Sequence, residues 1–428
     1  MGAATIWSAA SSVPPRVLIL SWEYPPIVEG GLARHVRKLA EQLVAQDHEV
    51  HVLTRADRDR FRLPGEQFVP HARLRRRYVE ENRHGVIVHR VREPDFPKDD
   101  LDAFISWVDH MNDDMRAAGA ELIERLDVDL VHSHDWLVAG AARKLARRFT
   151  CPWLVTVHAT EHGRHQGWVK KHPQKHIHGV ERRMVRAADR VITCSHYMRG
   201  HVAEVFGIDE AKITVVPNGV DPEDLQPAAN LPSLRARYAQ PDEQLVLLVG
   251  RLVYEKGFHL ALDALPGVIE RVGNVRFLVA GSGTAERDLK AQAQKLGLLP
   301  HGEFVGWIDD AMLHSLYAMS DLCVIPSLYE PFGLVALEAM ASGCPCIVAD
   351  TGGLREVVPG GGRVGLRFTP RDSASLAERM ESVLTDAVLR DRLVAEASEH
   401  ILSFDWADVA RRTVEVYADL LGASQPAA

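Results

Sequence analysis

The chain predicts an α/β protein of two domains, each a mostly parallel sheet covered by helices, and three observations carry that expectation. Short apolar, β-favouring runs alternate with helical patterns from one end to the other, as they do where crossover helices join parallel strands. The alternation is interrupted once, by the Pro-, Asn- and Asp-rich stretch from Pro222 to Gln244, and then resumes. With 428 residues the chain exceeds one ordinary core and suits two domains of about 200 residues each. No internal repeat of solenoid length breaks this reading.

Composition narrows the class. Hydrophobic content of 46% and charged content of 25% are those of a soluble globular protein. A net charge of -8 gives no global drive toward nucleic acid or an anionic membrane. The cysteines Cys151, Cys194, Cys323, Cys344 and Cys346 are odd in number and mostly embedded in apolar runs, which argues for free thiols in a reducing compartment. Cys344 and Cys346 lack a second pair at zinc-ligand spacing. No apolar run approaches the roughly 20 residues of a membrane span. Met1 to Ser12 has no basic start and reads as a frayed terminus rather than a signal peptide. A cytoplasmic protein is expected.

The first series opens with Arg16 to Ser21 as a strand, followed by a loop ending in Gly30 and Gly31 and a helical pattern from Leu32 to Gln46. Adjacent glycines at a helix start let a ligand approach the backbone, although a plain turn would look the same. Glu49 to Thr54 is a second strand. From Arg58 to Arg92 there are ten arginines against four acidic residues, densest at Arg73 to Arg77. This stretch reads as a solvated insertion, with an anionic acceptor or a peripheral membrane contact through residues 58–92 as the other reading. A long helix from Leu101 to Leu126 leads to a strand beginning at Val128 and ending in His134 and Asp135, where ligands of open α/β sheets bind. Asp127 and Asp129 spell a metal-binding pattern but fall at the strand's amino end, away from that position. Trp153 to Val157 is the next strand, with His158 and Glu161 at its polar tip. Six histidines fall between His158 and His178 without a persuasive metal-ligand pattern, and the segment reads as a mobile loop on the acceptor side. A strand at Arg190 to Ser195, a helix to Phe206 and a strand from Ile213 close the first series.

The second series starts with the strand Gln244 to Gly250. Arg251 and Lys256 follow its carboxyl end, and two cations converging there suit a diphosphate, although surface charge is the plain alternative. Val275 to Gly283 is a strand ending in glycines, and Glu303 to Trp307 is a short one. Asp321 to Pro326 is an apolar strand, and Gly333 to Ser342 a helix stopped by Gly343. Between them Glu330 sits in the loop, eight positions before Glu338. Such a junction offers a helix N-terminus to an anion and two carboxylates to hydroxyls. On spacing alone, Glu330 as a cap neighbour and Glu338 as an exposed helix residue fit as well. Pro345 to Glu356 supplies another strand and turn, Asp372 to Ser398 two helices, and Trp406 to Leu421 a terminal amphipathic helix.

From Glu330 through Pro331, Phe332 and Gly333 to Glu338, the sequence resembles the E-x7-E signature of retaining GT-B glycosyltransferases of family 4, the glycogen-synthase-like kind. The loop from Pro25 through Gly30 and Gly31, the Gly-Arg-x4-Lys-Gly run around Arg251 and Lys256, and the turn Pro217 to Asp221 match the same family in order. The runs Ser21 to Pro26, His134 to Ala139 and His158 to Val169 look most like actinobacterial α-1,4-glucosyltransferases of glycogen or methylglucose polysaccharide synthesis. The resemblance spans Val17 to Leu421. It implies a GT-B fold, two Rossmann-like domains facing across a cleft. The domains would be residues 1–221 on the acceptor side and 222–403 on the nucleotide-sugar side, with the helix of 404–421 returning to the first.

The same resemblance implies the site. His158, Arg251, Lys256 and Glu330 would be catalytic, with Arg251 and Lys256 on the donor's diphosphate and His158 and Glu330 on its sugar. Gly30, Gly31, Gly283, Phe332, Gly333, Leu334 and Glu338 would bind the donor, Glu338 through the ribose. Asp135, Glu161 and Arg164 would lie on the acceptor side. The partners would be a nucleotide-sugar donor and an α-glucan or other carbohydrate acceptor, with no nucleic acid, no cofactor and no metal. The expected activity is retaining transfer of glucose from ADP- or UDP-glucose to an α-1,4-glucan or related acceptor. The alternatives are a family 4 hexosyltransferase acting on a glycolipid or small molecule, and a GT-B sugar-nucleotide epimerase. A dinucleotide-dependent oxidoreductase is disfavoured, because neither half carries G-x-G-x-x-G after its first strand.

Overall fold

The computed structural model describes residues 14–56, 77–81, 84–92 and 101–423. The chain divides into two compact units, one of residues 1–217 with 406–428 and one of residues 218–405.

In the first unit the strands are β1 (Val17–Leu20), β2 (Val50–Ala56), β3 (Arg77–Glu81), β4 (Ile87–Arg92), β5 (Leu130–His134), β6 (Trp153–Val157), β7 (Arg190–Thr193) and β8 (Ile213–Val215). They form one sheet in the order β3-β4-β2-β1-β5-β6-β7-β8, parallel except for β3 against β4. Every residue of β1 is fully buried, as a strand covered on both faces requires. The helix Gly31–Ala45 turns Val36, Leu39, Ala40 and Leu43 into the core, an apolar stripe at helical spacing. The terminal helix Trp406–Ala423 fills the same core with Trp406, Val409, Ala410 and Tyr417.

The second unit holds β9 (Gln244–Val249), β10 (Val275–Ala280), β11 (Gly302–Gly306), β12 (Leu322–Ile325), β13 (Cys346–Ala349) and β14 (Leu366–Phe368). Its order is β11-β10-β9-β12-β13-β14, parallel throughout. The five cysteines are free thiols and four of them are buried. Among the described residues no helix is long and apolar enough to cross a membrane.

Two expectations need correction. The arginine-rich stretch is not all solvated insertion, because Ile87–Arg92 is a parallel strand whose His89 and Arg90 are buried. Arg90 lies beside the Tyr24 ring and donates to the carbonyls of Tyr24 and Pro25, so its charge is satisfied inside. The dense cluster Arg73 to Arg76 and the Met1 to Ser12 terminus lie outside the described residues. The histidine-bearing segment after β6 is not one loop, because a short helix at Glu161–Arg164 and a longer one at Gln174–Ala187 flank the turns and irregular backbone of 165–173. Thr160 caps the first by accepting from the Gly163 N–H at 3.0 Å, and the buried Glu181 of the second accepts from the Glu161 N–H at 2.8 Å.

Candidate active site

In the second unit the chain adds β10 and β11 on one side of β9 and then β12 to β14 on the other. Loops leaving the carboxyl ends of strands at such a reversal form the usual ligand crevice. Three adjacent strands deliver the predicted residues there: β9 leads into Arg251 and Lys256, β10 into Gly283, and β12 into the loop of Glu330, Phe332 and Gly333.

Two of these residues meet directly. Lys256 Nζ donates to Glu330 Oε2 at 2.7 Å, and Ser327 Oγ donates to the same oxygen at 3.1 Å. Glu330 is 8% exposed, so its carboxylate is held by partners rather than by bulk water. The Leu328 N–H donates to the Glu255 carbonyl at 2.8 Å, which ties the β12 loop to the β9 loop. Gly257 makes the closeness possible. Its φ is +66°, and a Cβ there would stand 2.0 Å from the Pro326 carbonyl oxygen. At Gly283 a Cβ would stand 2.3 Å from the Leu252 carbonyl oxygen, so the β9 and β10 loops also touch through backbone. Arg251 is half-exposed, with a guanidinium nitrogen 3.8 Å from Glu255.

Gly333 is the N-cap of the helix Leu334–Ala341, and no side chain caps that end. Phe332 is buried edge-on to Phe404. Glu338 stands one turn inside the helix, where Tyr317 Oη donates to its Oε2 at 3.0 Å. The structure therefore separates the two acids of the signature into different settings, Glu330 beside an ammonium and Glu338 beside a phenol.

The first unit has its own reversal, between β1 and β5, and the remaining predicted residues gather there. Gly30 and Gly31 follow β1 with Gly30 in extended backbone. The buried Glu23 accepts from the Glu29 N–H at 2.5 Å and the Gly30 N–H at 3.2 Å, and so holds this loop. Burial pushes its carboxyl up to about 7 against the pull of the Glu29 N–H. Asp135 follows β5 with φ +58°, and its Oδ1 accepts from the His158 N–H at 2.8 Å. Burial raises the Asp135 carboxyl to about 6, opposed first by the charge of Arg164. Glu161 Oε1 is 3.0 Å from His165 Nε2.

His158, itself partly exposed, joins a group of buried histidines that spacing along the chain did not reveal. Its Nε2 lies 3.0 Å from Nδ1 of His134. Its ring meets that of His35 edge-on at 4.6 Å. Behind them His132 is held by Tyr417 Oη on one nitrogen and Thr156 Oγ1 on the other, each at 2.8 Å. Burial lowers both His158 and His132 to about 3, so these rings are neutral. Asp129 stands just before β5, at the amino end of that strand, where it accepts from the Arg16 N–H at 2.8 Å. Sequence reasoning also missed Ser327, Tyr317 and Glu181, whose roles depend on contacts across elements. Only Ser327, three residues before Glu330, carried a local signal.

The chain matches known families along most of its length. Residues 29–224 match the family described as Glycosyltransferase Family 4, and residues 233–400 the one described as Glycosyl transferases group 1. A glycogen synthase of Mycobacterium tuberculosis is 40% identical over 423 residues, covering 96% of each chain. Among solved structures, a sucrose-phosphate synthase from Thermosynechococcus elongatus superimposes with a TM-score of 0.78 at 24% identity, over 96% of this chain and all of that one. The catalytic domain of starch synthase IV from Arabidopsis thaliana, bound to ADP and acarbose, gives 0.73 at 21%, again over 96% and 100%. The shared fold is GT-B.

Proposed function

Because this chain belongs to the family 4 and group 1 glycosyltransferases, aligned with a glycogen synthase along 96% of its length, we propose that it moves glucose, with retention, from a nucleotide diphosphate glucose to an α-1,4-glucan. The observation that carries the chemistry is the Lys256–Glu330 pair at the β9–β12 reversal. Arg251 and Lys256 meet the donor's diphosphate and stabilise the charge that develops on it as the glycosidic bond breaks. Backbone N–H groups of Gly333 and Leu334, at the uncapped start of their helix, add a positive field on the same group. Phe332 and Gly283 shape the donor pocket, Glu338 accepts from the ribose hydroxyls, and Glu330 and His158 orient the sugar.

Both donor-side acids are engaged, Glu330 by Lys256 and Glu338 by Tyr317, and neither has the setting of a free nucleophile. Retention then follows from departure and attack on one face of the sugar, with the leaving diphosphate receiving the acceptor's proton. The loop at Gly30 and Gly31 supports the donor side, and Asp135, Glu161 and Arg164 serve the acceptor. No metal is required, because the cations already present neutralise the diphosphate.

A panel of ADP-, UDP- and GDP-glucose offered with maltooligosaccharides tests this reading, with product linkage read by NMR. The expected result is chain extension by α-1,4 bonds. Extension through another linkage, or a donor that epimerises without acceptor, would overturn it.

A further inference from the structure

The buried histidines of the first unit carry a second reading. Helix Gly31–Ala45 supplies His35, the end of β5 supplies His134, and the residue after β6 is His158. One ring nitrogen from each lies within 4.8 Å of the others. Two imidazoles on one zinc ion, each at 2.0–2.1 Å, stand about 3.3 Å apart in a tetrahedral site. The 3.0 Å between His134 and His158 is near that spacing already. The widest separation closes by an ångström or so of ring movement, on the order of 1.5 Å. His134 is fully buried, and its Nε2 has no hydrogen-bond partner among the described residues. The hydrogen bonding of this ring system is therefore incomplete.

The chemistry of the donors selects the ion. Three imidazoles without thiolate suit Zn²⁺, Co²⁺ or Ni²⁺ rather than Mg²⁺ or Ca²⁺. Nδ1 of His134 and Nε2 of His158 share a proton across 3.0 Å, and ligation by both moves that proton to the far nitrogen of its ring. Asp135, next in sequence to His134, accepts from the His158 backbone and offers a carboxylate to offset the ion's charge. Arg164 acts on Asp135 and His158 with the opposite sign, so the site is not strongly anionic. His158 is the partly exposed member and marks the way in.

We propose that His35, His134 and His158 bind one transition-metal ion of the Zn²⁺ class, and that its binding withdraws His158 from glycosyl transfer, making this an inhibitory site. The inhibitory half rests on the role given to His158 above; the binding half does not. Bound metal occupies a nitrogen of His158 and fixes its ring against its neighbours. Removal of the ion restores the free imidazole.

Co²⁺ titration of the chelator-treated full chain, followed by visible absorption, reads binding without reference to activity. One equivalent should bring up the ligand-field band, Zn²⁺ should displace it one for one, and Mg²⁺ should leave it unchanged. Affinity should fall at least tenfold in His35→Asn and in His134→Asn, whereas His172→Asn combined with His176→Asn should behave as the wild type. Zn²⁺ should inhibit transfer with the same stoichiometry, reversed by EDTA. Absence of the band at one equivalent, or its survival in both cluster variants, overturns the site. If either variant fails to fold, X-ray absorption of the Zn²⁺-loaded wild type decides, and fewer than three imidazole scatterers rejects it. A one-equivalent band with undiminished transfer keeps the metal site and removes His158 from the reaction.

Discussion

The ammonium of Lys256 lies 2.7 Å from Glu330 Oε2, although 74 positions separate the two residues in the chain. Each therefore holds the other in place before any donor arrives. Lys256→Ala and Arg251→Ala should each lower kcat/KM by about 10²–10³, the usual effect of removing one group that meets developing charge. Lys256→Ala also leaves the buried Glu330 carboxylate with only Ser327 among the described residues. Adding Glu330→Gln should recover stability by about 1 kcal/mol without recovering turnover. Steady-state kinetics and urea melts on the single and double variants measure both. Near-normal turnover in the two single variants would remove these cations from the leaving-group site.

Gly257→Ala should couple stability to activity. The new Cβ would meet the Pro326 carbonyl at 2.0 Å, and backbone on both sides must move apart to accept it. A loss of about 2–4 kcal/mol in stability is expected, with activity reduced in the fraction that stays folded. A melting temperature and donor KM equal to those of the wild type would show that the two loops are not held together as described.

Transfer should survive chelation. EDTA-treated enzyme in metal-free buffer is expected to keep full activity, or to gain some where trace Zn²⁺ had been bound. Loss of activity restored by Mg²⁺ or Mn²⁺ would refute the metal-independent chemistry.

Acid stability should depend on His132. Its ring is pushed from 6.5 down to about 3 by burial, so between those values the unfolded chain holds a proton that the folded chain does not. Stability is therefore fully present above about pH 6.5 and is lost as pH falls toward 3. His132→Gln should make this loss shallower by up to about 1.4 kcal/mol per pH unit. Asp135 and Glu23, raised to about 6 and about 7, act in the opposite sense, since their burial as carboxylates lowers stability as pH rises. Urea melts from pH 7 to pH 4.5 on the variant and the wild type compare the slopes. Equal slopes would mean that His132 does not carry the proton difference.

Much of the fold was legible because strands buried on both faces must be continuous apolar runs. Leu322–Ile325 and Gln244–Val249 could hardly be read otherwise. Ile87–Arg92 was missed for the converse reason: its His89 and Arg90 read as solvent-facing, and partners far along the chain let them be buried, His51 at 2.9 Å from His89 and the Tyr24 and Pro25 carbonyls at Arg90. Leu366–Phe368 is three residues long and hides behind a glycine-rich stretch. The site divides in the same way. Arg251, Lys256, Glu330 and Glu338 follow strand ends at family spacing, so resemblance could name them. The joining of His35 and His134 to His158 arises from three elements whose approach no local pattern encodes.

The helix Trp406–Ala423 sets an order of events during synthesis. The first unit begins to emerge from the ribosome first, yet Trp406, Val409 and Tyr417 of its core are translated only after the whole second unit. Domains ordinarily complete their folding in the order in which they are made. Here the second unit can finish while the first still presents the apolar surface of Leu39 and Leu43. A nascent chain of this protein should therefore stay a chaperone client until its last helix has left the exit tunnel.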